Sequence, residues 1–260
     1  NYIDGIPLNL TSKILPFRSY LKIVSLLHIH LHAKSEKKYS NLLNTKKVDL
    51  NKFSKNSFLG LIDNLYSSIR KIAFNKKSFW SNYVFENSYS EIEKNNKEII
   101  LLKFLKFTNS KICWDLGSNT GYYSRLASQV CEHVYGFDFD YESINKFYKI
   151  NNLKKIDNVD CFVCDLINPS PSIGWDNNER ESIIKRCNAD TIMCLALIHH
   201  LVITNNIPIE MISKQLSKMT KFLIIEFIPT QDIQVQKLIA NREINQIYSL
   251  EEFTKKFNLY

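Results

Sequence analysis

Residues able to do chemistry recur at intervals through the second half of the chain. Asp115-Leu-Gly-Ser-Asn-Thr-Gly121 sets an acid just ahead of two glycines and an asparagine. Gly117, Asn119 and Gly121 are of the types that accept a left-handed backbone, so a tight turn closely approaching a ligand is expected there. Asp138 follows about twenty residues on, the distance at which an acid meets ribose hydroxyls in nucleotide-binding α/β domains. An ionised carboxylate accepts from both hydroxyls at once, which a neutral side chain does less well. Asp165 closes a further apolar run. His199 and His200 come next; an imidazole with an ordinary pKa of about 6.5 can take the proton of a hydroxyl. Glu226 is a carboxylate within an apolar run, so it must be paired or lie at an open end of the sheet.

The elements that would position these groups alternate in character. Short apolar runs at 112–114, 134–138, 159–165, 191–197 and 222–228 read as strands, and helix-like segments separate them. Continuous apolar strands with helices between them make a parallel sheet covered on both faces. Ligands of such sheets bind beyond the carboxyl ends of the strands, where all three acids fall. Each acid also has a structural role open to it. Asp115 could be a buried acid that orients the turn, Asp138 could share the capping of the next helix with Asp140, and Asp165 could cap a turn before Pro169.

The glycine spacing decides between nucleotides. A dinucleotide fingerprint needs further glycines where this chain has Asn119 and Tyr122, and no Gly-Lys-Ser/Thr phosphate loop is present. The pattern D-x-G-x-x-x-G resembles the first motif of class I S-adenosylmethionine (SAM) methyltransferases. That resemblance implies SAM as cofactor, with Asp115, Gly117, Asn119, Gly121, Asp138 and Asp165 around it and Asp165 reaching the adenine amino group. It also implies a Rossmann-like sheet in the order 3-2-1-4-5. The segments 114–121, 168–175, 195–201 with Asn206 and Pro208, and 225–229 with 234–236 are together similar to a bacterial methyltransferase-like family that includes host-specificity nodulation proteins. Ile3-Asp-Gly-Ile-Pro7 and Leu27-His-Ile-His-Leu31 extend the likeness towards the amino end. It implies SAM-dependent methyl transfer and carries no particular substrate. The acceptor is expected to be small or glycan-type and methylated at oxygen, with His199, His200 and Glu226, from their places at the strand ends, as candidate catalytic residues. RNA methylation and a catalytically silent scaffold are the alternatives. Asn168-Pro-Ser-Pro171 is expected to be a rigid loop, with Trp175 packing over the adenine or pinning the loop to the core.

Residues 1–97 read as a separate helical region, with residues 98–260 forming the catalytic domain. Helices are expected over 21–31, 58–72 and 92–107. Residues 1–80 hold 14 Lys/Arg against 4 Asp/Glu, while the remaining residues hold 20 and 22. The whole basic excess therefore lies in this region, where it would suit an anionic surface or simply be solvated. The chain has 27 Asn and only 6 Gly, and such a compositional bias favours the solvated face. His28 and His32 share a helix face, but a metal site normally takes three or four ligands, so no metal is expected. All six cysteines lie between 113 and 194 and are expected to be buried thiols of a reduced, cytoplasmic protein. Trp80, Tyr83 and Tyr89 stand where a lid over the cofactor often lies. No apolar run approaches the ~20 residues that span a bilayer. A terminal strand pair is expected beyond the last helix, outside this sequence.

Overall fold

The computed structural model describes residues 5–40, 54–71, 91–240 and 247–260. Two compact units divide the chain at residues 75 and 76. The expected regions, 1–97 and 98–260, meet within a helix of the second unit. Trp80, Tyr83 and Tyr89 lie outside the described residues.

The first unit is helical. α1 (Leu8–Ile14) is followed by a 3-10 turn (Phe17–Leu21) and α2 (Ile23–Ser25). The chain then takes π-helical geometry over Leu26–Leu31 and continues as α3 (His32–Ser40); α4 (Lys55–Arg70) is capped by Ser54, which accepts from the Ser57 amide. His30 explains part of this packing. It is buried, Ser12 and Ser19 contact its two ring nitrogens at 2.7 and 2.8 Å, and its ring stacks on Tyr20 at 3.6 Å. That is a satisfied core histidine. His28 faces Asn64 instead, at 3.1 Å.

The second unit opens with α5 (Glu91–Thr108) and then alternates strand and helix. In chain order come β1 (Ile112–Leu116), α6 (Tyr122–Ala127), β2 (His133–Asp138), α7 (Tyr141–Lys154), β3 (Val159–Val163), β4 (Thr191–Cys194), α8 (Ile209–Ser217), β5 (Phe222–Ile225), α9 (Ile233–Ile239) and α10 (Leu250–Phe257). All strand pairs are parallel and the order is β3-β2-β1-β4-β5. This is the Rossmann-like sheet of class I methyltransferases. Because side chains alternate across a strand, the sheet feeds two cores. Cys113, Val134 and Met193 face the layer containing Leu101, Leu105, Ala127 and Phe147, from α5, α6 and α7. Trp114, Ile192 and Cys194 face the layer containing Ile212, Leu216 and Phe253, from α8 and α10. Asp140 caps α7 by accepting from the Ser143 amide and hydroxyl, as its place ahead of Tyr141 suggests.

Three strands are shorter than their apolar runs. β4 stops at Cys194, and Ala196 adopts φ 49°. β5 stops at Ile225, so Glu226 stands just past the strand rather than inside it, its amide bonded to the Cys194 carbonyl. β3 ends two residues before Asp165. Apolar side chains in these tails pack from loops, which periodicity does not distinguish from strand. Among the described residues β5 is one edge of the sheet, and no helix is long and apolar enough to cross a membrane.

One ring locks the first crossover to the sheet. Phe147 of α7 is fully buried against two glycines. A Cβ built on Gly121 would lie 2.3 Å from the ring, and one on Gly136 would lie 2.5 Å from it. Gly121 also has φ 74°, a left-handed conformation costly to an L-residue. Gly121→Ala combines that strain with overpacking, so a loss of about 2–5 kcal/mol is expected. A urea denaturation midpoint, with the slope unchanged, measures it.

Candidate active site

A cavity of about 680 Å³ opens at the carboxyl edge of the sheet. Its floor is the turn between β1 and α6, where Gly117 (φ 79°) and Asn119 (φ 49°) are left-handed as their types suggest. The Gly117 and Ser118 amides donate to the Phe137 carbonyl at 2.8 and 3.0 Å, closing the turn onto β2. A Cβ on Gly117 would sit 3.1 Å from Leu197, so the missing side chain keeps this floor open.

Asp138 ties the turn down from the other side. One carboxylate oxygen accepts the Asn119 amide at 2.8 Å and the other accepts the Asp140 amide at 2.9 Å. Burial raises its pKa above the ordinary carboxylate value, with the Asp140 and Asn119 amides pulling the other way. Lone pairs remain for a ligand, since each oxygen can accept more than one bond. Asp115 lies deeper. It accepts from the Ser124 hydroxyl, and burial pushes its pKa from 3.8 up to about 6. Ser124 lowers it, the Asp138 charge raises it, and the Lys97 charge lowers it again. Asp165 is exposed at the cavity wall and accepts the Ile167 amide at 2.9 Å, so it caps its own turn and also lines the cavity. All three acids border one space.

His199 and His200 line the same cavity from the segment after β4, with ring centroids 4.0 Å apart. His199 is 1 % exposed, and burial pushes its pKa down to about 3, with the neighbouring His200 adding to the fall. A group that weakly basic is neutral at physiological pH and is poorly matched to removing a proton. Held neutral in this way, His199 is better suited to donating or accepting a hydrogen bond than to removing a proton.

Three expected residues stand apart from the cavity lining. Gly121 serves the contact with Phe147. Glu226 pairs with Lys97 at 2.7 Å, so its carboxylate is already committed to a cation. Trp175 is 86 % exposed in a 3-10 turn (Trp175–Asn177) and neither covers the cavity nor pins its loop to the core. Other lining residues had no signature in the sequence. Lys94 and Lys97 look like a solvated helix face, yet Lys94 lies 4.2 Å from the Tyr122 ring centroid and Lys97 4.7 Å from that of Tyr123. Phe139 and Ile167 supply apolar wall beside Asp138 and Asp165. Their only signal was adjacency to a strand-end acid.

Three buried polar atoms of lining residues lack a hydrogen-bond partner among the described residues: Ser118 Oγ, His199 Nδ1 and Thr204 Oγ1. Unpaired buried polar atoms are costly, and three at one cavity fit a ligand that would satisfy them. With the glycine floor and the carboxylates, this donor and acceptor set suits an adenosyl amino acid.

No protein-family model matches the chain. Over 260 residues it is 31 % identical to the nodulation protein NoeA of Rhizobium meliloti (strain 1021), an alignment covering 96 % of this chain and 54 % of that protein. The chain thus spans about half the length of that curated relative. Among solved structures it is similar to the bifunctional kinase-methyltransferase WbdD (17 % identity, TM-score 0.43, 61 % of this chain and 33 % of that one). It is similar also to magnesium protoporphyrin IX methyltransferase from Synechocystis PCC 6803 (17 %, 0.42, 65 % and 76 %) and to the N-methyltransferase NodS from Bradyrhizobium japonicum WM9 (11 %, 0.40, 56 % and 80 %).

The raised pKa of Asp115 makes it a destabilising charge. Between pH 4 and 6 the folded state holds this proton more tightly than the unfolded chain, so its contribution to stability falls as pH rises. Above about pH 6 the full cost of roughly 3 kcal/mol applies. Asp115→Asn keeps an acceptor for Ser124 and removes the charge. The ligand-free variant is expected to exceed wild type by up to about 3 kcal/mol at pH 7.5, with the gap closing near pH 4. Paired urea titrations at the two pH values check both the sign and the window.

Proposed function

We propose that this chain is the catalytic part of a SAM-dependent methyltransferase that methylates oxygen on a small or glycan-type acceptor. The observation that carries the reading is the convergence of the glycine turn, Asp115, Asp138 and Asp165 on one cavity that also holds three unpartnered buried polar atoms. Asp138 would hold the ribose hydroxyls and Asp165 the adenine amino group, with Phe139 and Ile167 offering flat apolar contact to the base. Asp115 would hold the cofactor's ammonium. The likeness to a nodulation protein over nearly the whole of this chain agrees with the resemblance of its motifs to the methyltransferase-like family that includes such proteins.

SAM, when bound, supplies an electrophilic methyl group on a sulfonium. What the chain must add is orientation and removal of the acceptor's proton. His200 is the residue we assign as base. It lines the cavity just past β4, and its neighbour His199 stays neutral and can only donate or accept a hydrogen bond. The lining carries Asp115, Asp138, Asp165 and Asp232 against Lys94 and Lys97, an acidic excess. Such a lining suits an uncharged hydroxyl acceptor better than a polyanion such as RNA.

Calorimetric titration against SAM and NAD tests the cofactor; binding of NAD in place of SAM would end the reading. Asp138→Ala is expected to weaken SAM binding at least 10-fold, because the charged acceptor and the tether of Asn119 go together. With methyl-labelled SAM and an oligosaccharide mixture, label in a product stable to mild alkali marks an ether and supports oxygen transfer to a hydroxyl. Alkali-labile label would mark an ester instead. His200→Ala is expected to slow turnover by about 100-fold or more with SAM affinity within twofold of wild type. Full turnover in that variant would remove the base role.

A further inference from the structure

The first unit carries apolar surface that its own packing leaves in water. From the end of α1 to the start of α2, Ile14, Phe17, Leu21 and Ile23 are 65 %, 79 %, 77 % and 72 % exposed. Single exposed apolar side chains are ordinary, but four large ones in so short a stretch mark a surface that meets something. The turn that carries them is firmly held. Ser12 and Ser19 contact the two ring nitrogens of His30, Tyr20 stacks on its imidazole, and the Phe17 ring lies 5.9 Å from that of Tyr20. The Ser19 amide donates to the Pro16 carbonyl and the Lys22 amide to the Ser19 carbonyl, closing the 3-10 turn. Phe17 and Leu21 thus stand on a fixed frame, which lowers the conformational cost of docking.

Lys13, Arg18 and Lys22 are interleaved with these side chains, and all three are exposed. Residues 5–35 contain these cations and Lys34, and no Asp or Glu. A compositional bias towards Lys and Asn fills a solvated face with polar side chains. It does not account for Phe17 and Leu21 standing bare beside them. The combination selects among occupants. A nucleic acid would neutralise the cations but leave Leu21 and Ile23 in water. A protein groove would bury the apolar groups, yet protein interfaces are depleted in Lys. An anionic bilayer surface meets both demands: its headgroups attract Lys and Arg, and the acyl boundary takes in apolar side chains.

We propose that the turn between α1 and α2 is a docking surface for an anionic lipid bilayer. Ile14, Phe17, Leu21 and Ile23 enter the headgroup region, and Lys13, Arg18 and Lys22 pair with the headgroups. The inference rests on this unit alone and is independent of the methyltransferase reading. It gives the basic excess of residues 1–80 a partner. Attachment of this kind is peripheral and reversible, because it joins a small apolar contact to a salt-sensitive attraction.

Vesicle flotation of the whole chain tests this, with phosphatidylcholine alone and with about 30 % phosphatidylglycerol added. Wild type is expected to bind the anionic vesicles at least about 10-fold more tightly, and to lose most of that preference in about 0.5 M salt. Phe17→Ser combined with Leu21→Ser is expected to weaken binding to anionic vesicles at least about 10-fold. Lys13→Gln, Arg18→Gln and Lys22→Gln together are expected to abolish the preference for anionic lipid. All five side chains are exposed, so the urea midpoints of both variants are expected to match wild type, which separates lost docking from lost folding. A wild-type chain that does not float, or floats equally with both vesicles, overturns the proposal. So does full binding by the Phe17→Ser, Leu21→Ser variant, which would leave charge alone as the attraction. Sedimentation velocity reads the rival occupant: a wild-type dimer that this variant loses, without vesicle binding, assigns the surface to a second copy and overturns the lipid assignment.

Discussion

The site depends on one carboxylate engaged from two sides. Asp138 accepts the Asn119 amide from the β1–α6 turn and the Asp140 amide from the entry to α7. These bonds fix the first two crossovers of the sheet relative to one another at the edge where a ligand enters. A charged acceptor makes such bonds stronger than neutral pairs, and burial removes the competing water. The left-handed residues Gly117 and Asn119 are held by this tether as much as by their own conformational freedom. The same group that shapes the floor would also face the ligand.

Charge is buried here at a cost to the fold. Asp115 is held where solvation is poor, and His199 is kept neutral for the same reason. Neither arrangement suits a protein selected for stability alone, and strain of this type collects at functional sites. The unpaired Ser118, His199 and Thr204 atoms belong to the same pattern. A ligand that satisfied them would return part of the lost free energy, coupling occupancy of the cavity to stability.

Much of the sheet was legible because parallel strands buried on both faces leave continuous apolar runs, and because acids at their ends are conspicuous. The five strands and the carboxylates of residues 115, 138 and 165 followed from that pattern. Strand ends did not: the runs through 197 and 228 continue as loops that pack apolar side chains from irregular backbone, which displaced Glu226 from strand to strand end. The packing of Gly121 and the ion pair of Lys97 were hidden for a different reason. Gly121 sits in a glycine motif but answers to Phe147, 26 positions away, and Lys97 answers to Glu226, 129 positions away. Nothing in local spacing announces such partners. Trp175 was misleading because a large aromatic residue in a proline-bounded loop ordinarily packs, whereas here it projects outward.

The three acids differ in how firmly they are set. Asp115 and Asp138 are immobilised by burial and by donors from other elements, whereas Asp165 is exposed and, among the described residues, accepts a bond within its own turn. With the cofactor placed as proposed, such a pocket would be stiff around the sugar and compliant around the base. Discrimination between nucleosides would then reside in the ribose and its 5′ substituent, and bulky groups on the purine would be accommodated by displacement of a surface loop rather than of the sheet.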